Sequence, residues 1–222
     1  MTGDMGERRP LATRELGMSK RAAARVARAG WTPNAISVAG MFAAVLASVS
    51  LWLTSAVPDY WRLWFVLGAA LTQLRLLANM LDGMVALATG KASPVGELYN
   101  EVPDRVSDTA ILVGLGCAVG GSAMLGLATA LAAVFTAYVR AQVKVAGAPQ
   151  DFCGPMAKPH RMFLVTVVAI YCGVMPVAWQ PETVAGYGLT AACALVILVG
   201  SLVTSVRRLS RGARALSSTK QR

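Results

Sequence analysis

The chain has 222 residues, of which 55% are apolar, and a formal net charge of +10. At this length it is one domain, or a small helix plus one domain, and apolar residues gathered into several long runs exclude an ordinary soluble core in favour of an integral membrane protein. A basic balance would also suit nucleic acid, but Lys and Arg collect at the ends of the apolar runs, where a membrane protein meets anionic headgroups. Anionic membrane lipids are therefore expected partners and nucleic acid is not.

Residues 1–17 read as a flexible N-terminal segment. Arg8-Arg9 precedes no short apolar region with a cleavage site, so no export signal is expected. Over residues 18–29, Arg21, Arg25 and Arg28 recur at helical spacing beside a face of Ala22, Val26 and Ala29. That pattern predicts a short basic amphipathic helix lying on the membrane surface.

Residues 30–207 read as the membrane domain, an all-α bundle of six transmembrane helices. Thr32 is an N-cap, Pro33 a first helical residue and Trp31 an interfacial anchor. The spans are predicted over about 34–56, 61–88, 96–120, 122–145, 161–179 and 183–206. Between the fourth and fifth lies the longest loop, residues 146–160, with three prolines and no apolar period. A basic tail, residues 208–222, closes the chain.

Six spans put both termini on one side. The N-terminal segment, the Lys91 loop, the 140–161 region and the tail then hold nearly all the Lys and Arg, with Arg62 opposite. The positive-inside rule makes that basic side cytoplasmic, which for a bacterial-type protein means the inner membrane. Cys117, Cys172 and Cys193 lie in apolar runs and Cys153 in a loop, without metal-ligand spacing, so neither a disulfide nor a zinc site is expected.

Five of the eleven acidic residues, Asp82, Glu97, Glu101, Asp104 and Asp108, crowd into the end of the second span and the start of the third. Carboxylates in spanning segments normally face a bundle interior or a wet cavity and mark a working site. Asn79 and Asp82 share one helical face, and Asn100, Asp104 and Asp108 share another. The two spans are antiparallel neighbours, so these faces can meet as a cluster of oxygen ligands without histidine or cysteine. Such a set suits Mg²⁺ or Mn²⁺. Gly83 and Ala86 leave a bare helix face on which a large ligand could come close. Arg75, four residues before Asn79, is read as the partner of a carboxylate. His160, the one histidine, carries no role by itself.

These residues resemble the signature of the CDP-alcohol phosphotransferase family, D-x2-D-G-x2-A-R-x8-G-x3-D-x3-D. The matching positions here are Asn79, Asp82, Gly83, Ala86, Leu87, Gly96, Asn100 and Asp104. Thr32-Pro33-Asn34 and Asp104-Arg105-Val-Ser-Asp108 are similar to the family's flanking patterns, and the likeness covers nearly the whole chain. The resemblance implies a six-helix homodimer that displaces CMP from CDP-diacylglycerol by an alcohol acceptor. It further implies two divalent ions held by the motif, a nucleotide approach that includes Gly96, and Asp104 as general base. The segment from Tyr138-Val-Arg140 to Lys158 and Arg161 resembles the region that binds an acceptor's phosphate. Asn79 and Asn100 replace aspartates and Leu87 replaces an arginine, as in a divergent branch with asparagine at both places. An amide oxygen still ligates a hard cation but brings no charge. The alternatives are a non-catalytic lipid- or nucleotide-binding subunit and a small transporter, the latter weakened by the absence of inverted repeats.

Overall fold

A computed structural model describes residues 17–90, 94–149, 151–181 and 185–219. Among these residues the chain forms seven α-helices: α1 (Gly17–Arg28), α2 (Pro33–Ala56), α3 (Trp61–Ala88), α4 (Pro94–Cys117), α5 (Ala123–Val145), α6 (Lys158–Val174) and α7 (Leu189–Thr219). The expected N-terminal segment up to residue 16, Lys91, Glu182 and the end of the tail from Lys220 lie outside the described residues.

Local chemistry sets the helix ends. The Thr32 hydroxyl accepts the Ala35 N–H at 3.2 Å and Pro33 opens α2, while the Ser122 hydroxyl accepts the Leu125 N–H at 3.3 Å and opens α5. The fifth predicted span, α6, is shorter than the sequence pattern predicts, since Pro176 has no N–H to continue it and restrains Met175 before it. The last helix differs more. It begins only at Leu189, after a turn in which Ala185 and Gly186 have positive φ, and it runs on through most of the expected tail. Alanine, leucine and arginine predominate between Arg207 and Leu216 and are good helix formers, interrupted there only by Ser210 and Gly212.

The core is built from small residues facing a few larger ones. Ala44, Ala47 and Leu51 of α2 meet Phe65 and Ala69 of α3 and Ile111, Leu112 and Leu115 of α4, while Met162 and Val165 of α6 and Ala194 and Ile197 of α7 complete it. Close backbone approach is required at the α4 glycines. A methyl group added to Gly114 would lie 2.6 Å from the Ser48 Cα, and one on Gly116 would lie 2.6 Å from the Gly126 Cα. Such seams suit helices in lipid, where packing rather than water exclusion drives association.

The outside is apolar. Phe42, Leu46, Leu131 and Phe163 are each more than half exposed, an arrangement that in water would leave large sticky patches. Among the described residues, four helical stretches, Pro33–Ala56, Pro58–Ala88, Ala123–Val145 and Leu189–Ser218, are long and apolar enough to cross a membrane. The acidic first half of α4 and the 17 residues of α6 keep those two helices off that count. The chain is a multi-pass membrane protein.

The small helix α1 departs from the expected arrangement. Its Ala23, Val26 and Ala27 face packs on Met84, Val85 and Leu81 of α3 and on Ile36 of α2, so that face meets protein rather than lipid. Lys20, Arg21, Arg25 and Arg28 remain on the exposed side.

The loop before α6 is clasped to α7. The Arg208 Nε donates to the Cys153 carbonyl at 3.0 Å and its Nη1 to the Thr136 carbonyl at 3.2 Å. Arg211 pairs with Asp151 at 3.2 Å, and the Asp151 carboxylate accepts the Cys153 N–H at 2.8 Å. Partial burial works to raise the Asp151 carboxyl, but the hydrogen bonds from Cys153 and the Arg211 charge outweigh it and hold the group below its ordinary 3.8. A carboxyl depressed on folding adds stability that is full above the unfolded value and is lost as pH falls through the folded value. Hydrogen exchange should therefore find the Cys153 amide protected near neutrality and unprotected once pH drops well below 3.8.

Candidate active site

The end of α3, the start of α4 and the start of α6 meet at Asp104. Its Oδ1 accepts the Lys158 ammonium at 2.6 Å and also binds the Arg75 guanidinium. Arg75 is the largest fully buried side chain, and its Nε donates to the Ser107 hydroxyl at 2.8 Å. The expectation that Arg75 pairs with a carboxylate is met here by Asp104. Ser107 in turn donates to the Pro103 carbonyl at 2.6 Å. Pro103 lacks the N–H that would bond to the Tyr99 carbonyl, so the α4 ladder misses that one rung just before Asp104.

Lys158 reaches across the site. Its ammonium donates to the Asn79 Oδ1 at 2.7 Å as well as to Asp104, and the Asn79 amide donates to the Asn100 Oδ1 at 3.0 Å. Asn79, Asn100, Asp104 and Lys158 therefore form one connected group. Asp82 lies beside it, within electrostatic range of Asp104 and Arg75. Its Oδ2 accepts the Ser37 hydroxyl at 2.6 Å. Its Oδ1 is buried without a hydrogen bond of good geometry, although the neighbouring Gly83 N–H is near enough to interact with the carboxyl.

Two expected site residues are joined to each other instead. Asp108 accepts the Arg161 guanidinium at 2.7 Å, with both side chains 3% exposed or less, and Arg161 also donates to the Met156 carbonyl at 2.9 Å. Arg140 donates to Glu101 at 2.6 Å and lies over the Phe152 ring at 5.5 Å, and Arg105 reaches the same carboxylate at 3.3 Å. Gly83 and Ala86 are buried next to Asp82, and Gly96 sits partly buried in the first turn of α4. Leu87 is 58% exposed, so the position where the resemblance places an arginine points away from the core.

The donor set fits a hard divalent cation. It is made of oxygens, and the Asp82 Oδ1 lacks the partner a buried carboxylate needs. Among the described residues, no three Asp, Glu, His or Cys side chains gather into a metal-holding group. Asn79 and Asn100 stand in the places that would make one. Ser37, which orients Asp82, is not legible in the sequence, because a lone serine in an apolar helix carries no signal of the face it takes, and the place of Ser107 in the Asp104–Asp108 stretch does not show that it meets Arg75.

No model of a known protein family matches the chain. A phosphatidylinositol phosphate synthase of Mycobacteroides abscessus is 31% identical over 193 residues, which cover 84% of this chain and 80% of the relative. The chain belongs to the CDP-alcohol phosphatidyltransferase family. As a CDP-alcohol phosphatidyltransferase it is a transferase of phospholipid biosynthesis. The fold agrees. The Mycobacterium tuberculosis phosphatidylinositol phosphate synthase, solved with CDP-DAG bound, superimposes with a TM-score of 0.72 at 22% identity, over 89% of this chain and 94% of that one. A second structure of that phosphatidyltransferase, in complex with manganese and citrate, has a TM-score of 0.71 at 22% identity, covering 87% and 88%.

Proposed function

We propose that this phosphatidyltransferase moves the phosphatidyl group of CDP-diacylglycerol onto an inositol phosphate and releases CMP. The observation that carries the reading is the convergence of α3, α4 and α6 on Asp104, in a chain related to phosphatidylinositol phosphate synthases.

Asp104 is the proposed base. It takes the proton of the acceptor hydroxyl while that oxygen bonds to the phosphorus bearing the diacylglycerol, and the bond to the CMP oxygen breaks. Asn79, Asp82, Asn100 and Asp104 would hold Mg²⁺ or Mn²⁺, with Asp108 behind them, and two ions follow from the family pattern. When bound, such an ion stabilises charge on the phosphoryl oxygens and the leaving CMP. Gly83, Ala86 and Gly96 let the nucleotide approach the backbone, and Arg140, Lys158 and Arg161 receive the acceptor's phosphate by exchanging their present carboxylate partners.

In the membrane, α2–α7 make six crossings of residues 30–207. Both termini, the basic segment 208–222 and the site face the cytoplasm, and the protein works as a homodimer. The exposed basic side of α1, residues 18–29, contacts anionic headgroups.

Full-length protein in detergent with CDP-diacylglycerol, Mn²⁺ and inositol phosphate should release CMP. Inositol, serine and glycerol 3-phosphate should support much less. Absence of CMP release with every acceptor defeats the reading; release with one of the others alone replaces the acceptor.

A further inference from the structure

We propose that Glu101 is a specificity gate for the acceptor: its carboxylate holds Arg140 until an anionic acceptor displaces it. The inference deepens, and rests on, the reading of Arg140, Lys158 and Arg161 as the cations that receive the acceptor's phosphate.

The three cations are held by carboxylates in different settings. Arg161 binds Asp108 at 2.7 Å with both side chains almost wholly buried, so opening that pair strands a charge inside the protein. Lys158 binds Asp104 at 2.6 Å, and that carboxylate is only 10% exposed. Arg140 is different. Its partner Glu101, at 2.6 Å, is 46% exposed, so the carboxylate it releases turns into water. A pair at the rim exchanges at small cost. It is the contact that an incoming phosphate opens first.

The surroundings fit such an exchange. The Arg140 guanidinium lies over the Phe152 ring at 5.5 Å, a contact independent of Glu101 that keeps the group in place when the carboxylate leaves. Arg105, one turn along α4, already reaches the other Glu101 oxygen at 3.3 Å and retains the carboxylate on its release. Asn100 meets Asn79 of α3 whereas Glu101 meets Arg140 of α5, so the gate is separate from the oxygens read as metal ligands.

Discrimination follows from charge. A phosphate monoester carries about two negative charges and three acceptor oxygens, and it competes with a single carboxylate for the guanidinium. A neutral alcohol offers no charge and leaves Arg140 on Glu101. The gate is thus a repulsive element set beside an attractive one, which is how a site rejects a wrong partner. Removing it has a sign of its own. Loss of a structural contact weakens binding, whereas loss of this carboxylate strengthens binding of anionic acceptors.

The test compares full-length wild type in detergent with Glu101→Gln, which keeps the size and helix preference of the side chain. Isothermal titration with inositol phosphate, without CDP-diacylglycerol, should show Kd falling about three- to ten-fold in the variant. The KM for inositol phosphate in CMP release should fall likewise, while that for CDP-diacylglycerol stays within about two-fold. Glu101→Ala is the second variant, with the same expected fall. An unchanged or raised Kd in folded variants overturns the inference, as does an equal gain in affinity for uncharged inositol. Wild type that binds inositol phosphate but releases no CMP with any acceptor defeats the transferase reading, and the Kd values still decide the gate. Absence of inositol phosphate binding in wild type and both variants overturns the gate, whatever CMP release another acceptor supports.

Discussion

Replacing Asp104 with asparagine is expected to lower CMP release by about 10²–10⁴-fold, the range for removal of a general base. Asparagine keeps the size of the side chain and an oxygen for Lys158 and Arg75, so the contacts that join α3, α4 and α6 have a substitute. It removes the group that can take up a proton. Its loss also leaves two buried or half-buried cations facing one another with less compensation, so thermal stability should be measured alongside CMP release. A variant that unfolds as the wild type does but releases no CMP fits the role of base. A variant that retains release within a few-fold shows that the acceptor's proton goes elsewhere, and Asp104 is then a structural anchor for Arg75 and Lys158.

The second large effect concerns Asp108 and Arg161. Truncating either to alanine leaves its partner charged, buried and alone, and breaking such a pair costs about 3–5 kcal/mol. The Arg161 Nε and the Asp108 Oδ1 already lack partners, so there is little spare hydrogen bonding to absorb the loss. The double change Asp108→Leu with Arg161→Met should recover much of the stability, because an apolar pair of similar volume needs no compensating charge. Thermal unfolding in detergent, followed by tryptophan fluorescence, checks both statements. The same variants bear on Asp108 as a metal ligand. If it ligates the ion, Asp108→Asn weakens Mn²⁺ binding by EPR while stability changes little; if the pair is structural, the order of the two effects is reversed.

The sequence carried the helices well because their causes are local. Thr32-Pro33 and Ser122 announce their helix starts, and glycine, proline and polar turns separate apolar runs of membrane length. It carried the site less completely. The spacing of Asn79 and Asp82, and of Asn100, Asp104 and Asp108, assigns faces to two helices but not their partners across the bundle. That Lys158 should reach Asn79, that Arg161 should close on Asp108, and that Ser37 should meet Asp82 are facts of tertiary packing. The helical form of the end of the chain is not legible for a different reason. Arginine-rich composition marks a cytoplasmic segment, but it also favours helix, and Arg208 is drawn in by carbonyls of α5 and the preceding loop that no local pattern reveals.

The seat of α1 bears on how the protein is made. This helix leaves the ribosome before α2 and α3, yet the surface it needs, around Met84 and Val85, is synthesised more than fifty residues later and must be inserted before it can be covered. Until α3 is in place α1 has no docking surface, so it stays undocked while α2 and α3 are threaded into the bilayer. Its arrival braces the turn that bears Asp82 from behind, so the chemistry is assembled only after biogenesis has brought an older part of the chain back to a younger one.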